Sequence, residues 1–281
     1  MRPSVIILTF NSSDSLPATL ASVKAITDDV HIVDSGSTDQ TVAIAEAAGA
    51  FVSHHPFENY GSQRNWAIDN LSTRYRWQLH LDADERLTPE LQQEIAALPE
   101  ESTLSGYFLP RLLQFMGRIL HHGGMNPTWH MRLFLKGQGR CEAREYDQHF
   151  ICSGATQRLK HSMIDDIRMS LTEWTYRHNR WSDAEVREML LQQSAEGDVE
   201  GRIGGRLTGN PIERKRFLRS FYTNAPVFTR PFALFFYRYF VCLGFLDGKE
   251  GFIFYVLQTF WFRFLVDAKI YEAKRNRYKI S

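Results

Sequence analysis

Arg76-Trp77-Gln78-Leu79-His80-Leu81-Asp82-Ala83-Asp84-Glu85 alternates apolar and polar residues and then stops in carboxylates. Trp77, Leu79 and Leu81 fall on one face of an extended segment and Gln78, His80 and Asp82 on the other, the period-2 pattern of a half-buried strand. Acids gathered at the end of a strand need a counter-charge. In α/β sheets ligands collect at the carboxyl ends of strands. Two carboxylates one residue apart at such an end, Asp82 and Asp84, form a clamp for a hard divalent cation bridging phosphate oxygens. A lone Asp-x-Asp also occurs as a solvated loop, here one leading into a helix at Thr88-Pro89-Glu90, so the reading depends on what precedes it.

What precedes it is an alternation of strands and helices. Ser4 to Phe10 is short, apolar and β-branched, bounded by Pro3 and by Asn11-Ser12-Ser13-Asp14, which predicts a buried first strand. Leu16, Leu20, Val23 and Ile26 then recur near helical spacing, with Ser13 or Asp14 available as a cap. Val30 to Val33 is a second strand, ending in Asp34-Ser35-Gly36-Ser37-Thr38-Asp39, and an alanine-rich helix follows from Thr41 to Ala48. Phe51-Val52-Ser53 is a third strand, Gln63 to Leu71 a helix, and Trp77 to Leu81 the fourth strand. Such alternation implies a mostly parallel sheet with helices on both faces. Thr9, Asn11, Asp34 and Ser35 then lie on the same rim as Asp82 and Asp84. The chemistry fits a nucleotide: Asp34 can accept hydrogen bonds from a base or ribose, while loop amides and hydroxyls meet phosphate. Asp39 reads instead as a cap for the following helix.

Val5-Ile-Ile-Leu-Thr-Phe-Asn11, Val33-Asp-Ser-Gly-Ser-Thr-Asp39, Gln63-Arg64-Asn65 and Leu81-Asp-Ala-Asp-Glu85, in that order and spacing, resemble family 2 glycosyltransferases with the GT-A fold. Among these, the bacterial enzymes of lipopolysaccharide core and exopolysaccharide synthesis are the most similar, including lipopolysaccharide core β-1,4-glucosyltransferases. The likeness is specific over residues 1–95 and looser over 96–180. It implies inverting transfer of a sugar from a nucleoside diphosphate sugar, with uracil as the base, to a lipid-linked glycan or lipopolysaccharide-core acceptor. It places Asp34 at the nucleoside, Asp82 and Asp84 at a divalent metal (Mn2+ or Mg2+) and the diphosphate, and Gln63 and Arg64 beside them. A nucleotidyltransferase also pairs acids on a doubly wound sheet, but Thr9-Phe10-Asn11-Ser12-Ser13 lacks the glycine and lysine of its phosphate loop. A peripheral membrane module with a vestigial nucleotide site is the non-enzymatic alternative.

Further on, Gly123-Gly124-Met125-Asn126-Pro127-Thr128-Trp129 and Arg132-Leu133-Phe134 are similar to a stretch these enzymes place under the donor sugar. The glycines allow tight backbone approach, and Arg132 can lean toward a diphosphate. Inverting transfer needs a carboxylate to take the acceptor's proton. Many relatives carry His-Glu where this chain has Tyr146-Asp147-Gln148-His149, so Asp147 is the expected base and Glu145 its rival.

The net charge of +1 hides an asymmetry: residues 211–281 carry 13 Lys+Arg against 5 Asp+Glu and hold 20 of the 37 aromatics. A basic, aromatic region points to an anionic membrane surface, the inner face of the cell membrane. No apolar run there reaches the length of a spanning helix, and Gly244, Gly248 and Gly251 equally allow close packing of helices or of copies of the chain. No nucleic-acid partner is expected. Three cysteines without a CxxC pair fit a reducing, cytoplasmic compartment and argue against a zinc site. Three segments are therefore expected: 1–165, a nucleotide-sugar-binding and catalytic α/β domain; 166–210, amphipathic helices broken near Ser182-Asp183, then a glycine-rich linker; and 211–281, a helical, membrane-associating C-terminal region.

Overall fold

The computed structural model describes residues 1–142, 144, 147–194 and 203–278. Glu145 and most of the glycine-punctuated run after α5 lie outside the described residues. The chain opens with β1 (Ser4–Thr9), α1 (Leu16–Val23), β2 (Val30–Asp34), α2 (Thr41–Ala47), β3 (Phe51–His54), α3 (Tyr60–Asn70), β4 (Trp77–Asp82), β5 (Glu85–Leu87) and α4 (Pro89–Ala97). Strands then dominate: β6 (Gly106–Phe115), β7 (Arg118–Ile119), β8 (Thr128–Leu135), β9 (Gly139–Cys141), β10 (Phe150–Cys152), β11 (Thr156–Arg158) and β12 (Met163–Ile167). Helices α5 (Leu171–Ser194), α6 (Pro211–Asn224), α7 (Arg230–Phe236), α8 (Gly248–Tyr255) and α9 (Phe262–Tyr278) follow. Between them run π-helical turns at Tyr237–Val241 and Val256–Trp261 and a 3-10 turn at Gly244–Asp247.

Two compact units result. The first comprises residues 1–117, 127–143 and 148–168, and its sheet runs β3-β2-β1-β4-β8-β6-β12-β5. Pairings β3-β2, β2-β1, β1-β4 and β12-β6 are parallel, while β8 runs antiparallel to both β4 and β6 and β12 antiparallel to β5. The fold is thus α/β with a mostly parallel sheet, as the alternation predicts. Odd positions of β1, Val5 and Ile7, pack with Leu16, Leu20, Val23, Leu91 and Ile95 of α1 and α4. The even position Ile6 packs with Val33, Ala67 and Leu71 on the other face, under α3. Each such side chain removed from water contributes about 1.5–3 kcal/mol. One expectation is corrected: β4 is buried on both faces, because Gln78 and His80 are also below solvent. The order matters for function. Successive strands step outward from β1 to β3, and β4 returns to the far side of β1, so the carboxyl ends of β1 and β4 frame the crevice where such sheets bind ligands.

The second unit comprises residues 118–126, 144–147 and 169–281. Two helical readings change here. Ile167 belongs to β12, and α5 is continuous through Ser182-Asp183. Ser182 is accommodated because its hydroxyl donates to the Asn179 carbonyl at 2.6 Å, one turn back, and Asp183 pairs with Lys269 of α9. Val186 of α5 packs with Phe262, Val266 and Ile270 of α9, so these two helices share a core. No helix among the described residues is long and apolar enough to cross a membrane.

Candidate functional site

The register sets the rim level: Thr9 pairs with Asp34 across β1 and β2, and Leu8 with Asp82 across β1 and β4. Asp34 is fully buried, and both of its oxygens are engaged by the chain itself. One accepts from the Thr9 hydroxyl at 2.9 Å and the Ser37 hydroxyl at 2.5 Å, the other from the Gly36 and Ser37 amides at 2.9 and 2.8 Å. Burial would raise this carboxyl, but those donors hold it below the usual range. Asp34 therefore shapes the loop after β2, where a contact to the base or ribose was expected of it. Asn11, at φ 45°, closes the same loop from β1, its side chain accepting from the Thr38 amide at 2.8 Å and its own amide donating to Ser37. Gln63 is likewise committed: its amide donates to Ser35 at 3.0 Å and to the His55 carbonyl, and its oxygen meets the His55 ring at 2.6 Å. Asp39 takes the first amide of α2, that of Thr41, at 2.9 Å and reaches the Ser13 amide at 3.1 Å, while Gln40 occupies the cap position.

The end of β4 is an ionic cluster. Arg64 of α3 donates to both Asp82 oxygens at 2.9 and 3.1 Å, and Arg132 of β8 bridges Asp82 at 2.8 Å and Glu85 at 2.6 Å. Glu85 also accepts the Asp82 amide at 3.0 Å and has Arg111 at 3.8 Å; Arg111 in turn pairs with Asp165 at 2.9 Å. Burial pushes the Asp82 carboxyl up, but the two guanidinium groups override it and hold it well below the usual range. At Glu85 burial wins and the carboxyl is raised, though Arg132 pulls the other way. Arg132, at 4% exposure, is thus spent on carboxylates rather than extended toward solvent. Glu85 stands in the acid motif itself, but Arg111 on β6 carries no signal in the sequence, because its partners Glu85 and Asp165 come from β5 and β12.

A divalent cation fits this end of the strand in one way. Both Asp82 oxygens already face arginine, whereas Asp84 is half-buried on the rim and its backbone carbonyl is tied down by the Asp166 amide at 3.0 Å. Mg2+ and Mn2+ sites of this type use one or two carboxylates together with substrate phosphate oxygens and water, so the absence of a cluster of three or more ligating side chains among the described residues is compatible with it. Asp147, the expected base, belongs to the second unit at φ 56°, with Lys215 at 3.1 Å from one oxygen and Arg219 at 3.0 Å from the other. Of the glycine pair, Gly123 and Gly124 both take positive φ, and a Cβ at Gly123 would collide with Tyr255. They too lie in the second unit, while Trp129 stands in the first, under the Arg158 guanidinium at 5.1 Å.

Residues 4–168 match the family model of glycosyl transferase family 2. An uncharacterized glycosyltransferase of Rickettsia conorii is 48% identical over 92 residues, which are 33% of this chain and 32% of that protein. The lipopolysaccharide core biosynthesis glycosyltransferase LpsC of Rhizobium meliloti is 30% identical over 120 residues, 40% of this chain and 43% of LpsC. The chain therefore spans less than half the length of either relative. The solved mannosyltransferase PcManGT of Pyrobaculum calidifontis, in complex with GDP-Man and Mn2+, superposes with a TM-score of 0.52 over 96% of this chain and 87% of its own, at 12% identity, a likeness of fold. With the family model covering residues 4–168 of 281, the chain belongs to glycosyl transferase family 2.

Proposed function

We propose that this protein transfers a sugar, with inversion, from a nucleoside diphosphate sugar to a lipid-linked glycan or lipopolysaccharide-core acceptor. The observation that carries this is the Arg64-Asp82-Arg132-Glu85 cluster at the end of β4, level with the loop that Asp34 builds after β2. Asp34 and Asn11 fix the shape of that loop on the rim where a nucleotide would sit, and Thr9 and Gln63 brace it. Arg64 and Arg132 hold Asp82 in one orientation, where it can meet ribose or support the metal. A divalent cation held by Asp84 would neutralise diphosphate charge as the leaving group departs. Asp147, or its rival Glu145 two residues earlier in the sequence, takes the proton from the acceptor hydroxyl. UDP is the first donor nucleotide to test, and the likeness to LpsC favours a lipopolysaccharide-core acceptor. The basic, aromatic residues of 211–281 hold the enzyme peripherally on the cytoplasmic leaflet, where such an acceptor is anchored.

Incubation of the purified protein with a panel of nucleotide sugars and Mn2+ or Mg2+ tests the chemistry. Release of nucleoside diphosphate is the expected result. Pyrophosphate release would reassign the protein as a nucleotidyltransferase, and neither product with any donor would leave only a binding module.

A further inference from the structure

The stretch from α7 to the 3-10 turn is inside out. Phe232, Phe236, Phe240, Val241, Leu243 and Phe245 are all exposed, Phe236 and Val241 at 60%. The two charged side chains between residues 231 and 248 turn the other way. Arg238 donates inward to the Gly123 carbonyl at 2.7 Å, and Asp247, 2% exposed, accepts the His121 and His122 amides and the Tyr255 hydroxyl. Water would favour the opposite arrangement, because burying a charge costs free energy and exposing aromatic surface gains none. The backbone is consistent with a dry environment as well. Three of the turn's amides bond within the segment, Cys242 to the Tyr237 carbonyl at 2.9 Å, Leu243 to Phe240 at 3.3 Å and Leu246 to Leu243 at 3.0 Å, and the Cys242 carbonyl receives the Gly123 amide at 2.8 Å. A segment entering hydrocarbon must meet that requirement.

We infer that residues 232–246 are a wedge that enters the acyl region of one membrane leaflet, with Arg238 and Asp247 as internal struts. This rests on the membrane attachment proposed above and adds to it a hydrophobic mode, distinct from attraction between basic residues and anionic headgroups. A bilayer is favoured over a second copy of the chain by the polarity of the segment: a continuous run without an outward charge matches a medium that offers no counter-charge, and the first exposed charge beyond it, Lys249, stands where headgroups would begin.

The test is flotation of the full chain with neutral phosphatidylcholine vesicles at high salt, where headgroup attraction is screened. Wild type is expected to float. Phe236→Glu and Phe240→Glu, both at exposed positions and with unchanged melting temperature, should lower the bound fraction by about tenfold or more, whereas Tyr176→Glu on exposed α5 should not. Phe240→Leu should retain binding. Variants that float like wild type overturn the wedge. Binding confined to anionic vesicles, lost in salt and indifferent to the Phe→Glu changes, overturns the wedge and leaves attachment standing; no binding to either vesicle overturns both. A wild-type dimer that Phe240→Glu converts to a monomer in the absence of lipid assigns the face to a second copy.

Discussion

Each unit buries a knot of arginines and carboxylates, and the two knots differ in what they leave at the edge. In the first, Arg132 and Glu85 are buried, but Asp82 keeps 28% of its side chain exposed and Asp84 follows two residues later on the rim. In the second, Arg230 and Asp267 both have under 5% exposure; Arg230 also donates to the Thr223 carbonyl at 2.6 Å, and Asp267 accepts the Phe228 amide at 2.8 Å. The second knot is closed on all sides and joins α7 to α9. The first leaves Asp82 partly exposed at the end of β4. Similar side-chain chemistry therefore makes a fastener where it is closed and a candidate site where one carboxylate stays exposed.

If that distinction holds, the largest losses of activity come from acids whose removal leaves the fold untouched. Asp147→Asn should reduce turnover on the order of 10²–10⁴-fold while donor binding survives, as measured by titration of the nucleotide sugar against turnover. Glu145→Gln is the paired control: should it be the dead variant and Asp147→Asn the live one, the base lies two residues earlier. Asp84→Asn should fold normally and lose most metal-dependent turnover, since an amide is a poorer ligand for a hard cation. Near-normal activity in that variant would remove Asp84 from the metal site.

Next come the knots themselves. Arg230→Met strands Asp267 in a dry environment and should cost about 3–5 kcal/mol in urea denaturation, and adding Asp267→Leu should recover most of it, turnover included. Arg132→Met with Glu85→Leu is expected to recover stability in the same way but not full turnover, because Asp82 loses one of the two cations that orient it. A double variant of the first knot that is both stable and fully active would erase the difference between the two.

The sequence made the strands of the first unit readable because β1, β2 and β4 are short β-branched or alternating runs cut off by turn residues, and the acids at their ends could be placed on one rim from topology alone. The insertion of β8 antiparallel between β4 and β6 could not be read, since it is a pairing across some fifty residues. The same limit hid the fate of named residues. Asp34 and Gln63 stand out in the sequence as candidates, but that their hydrogen-bonding capacity is spent on Thr9, Ser37, Ser35 and His55 depends on partners supplied by other strands and loops. In the C-terminal region the aromatics were plain, yet the inward turn of Arg238 was not, because a charge in an apolar run says nothing about direction.

Acid should weaken both units, by different routes. His80 is buried against Phe134 and Phe150 without a hydrogen-bond partner among the described residues on either ring nitrogen; burial first, then Arg64 and Arg132, push its pKa well below the ordinary value. His178 is pushed down to about 4, by burial above all and by Arg177 and Arg263, against the opposing bonds to the Trp174 carbonyl and Gln258. Both rings are neutral when folded and take a proton near pH 6.5 when unfolded, so the unfolded chain binds more protons between those values. The stability from His178 is complete above pH 6.5 and is lost as pH falls toward 4, on the order of 3 kcal/mol in all. Urea midpoints at pH 7 and pH 5 should converge in His80→Phe and in His178→Phe relative to wild type. His80→Phe should cost less at pH 7, because no hydrogen bond is given up, whereas His178→Phe gives up the ring's hydrogen bonding to the Trp174 carbonyl and Gln258. Equal pH dependence in wild type and both variants would show that neither ring is held neutral.

The smallest effect separates the units at their helix starts. Asp39 gathers the Thr41 and Ser13 amides at the head of α2, and Asn210 accepts the Ile212 and Glu213 amides at the head of α6 while Glu213 reaches back to the Asn210 amide. Replacing either by Ala should cost about 1 kcal/mol at neutral pH. They differ in charge. Burial nudges the Asp39 carboxyl up, but the Thr41 and Ser13 donors outweigh it and bring it down to about 2, so its contribution is present above the unfolded value near 4 and is lost as pH falls from there toward 2. Asn210 carries no such dependence. The penalty of Asp39→Ala should therefore shrink on acidification while that of Asn210→Ala stays constant, and a constant penalty for both would mean that Asp39 acts through its shape as a hydrogen-bond acceptor and its charge contributes nothing to the loop that it closes.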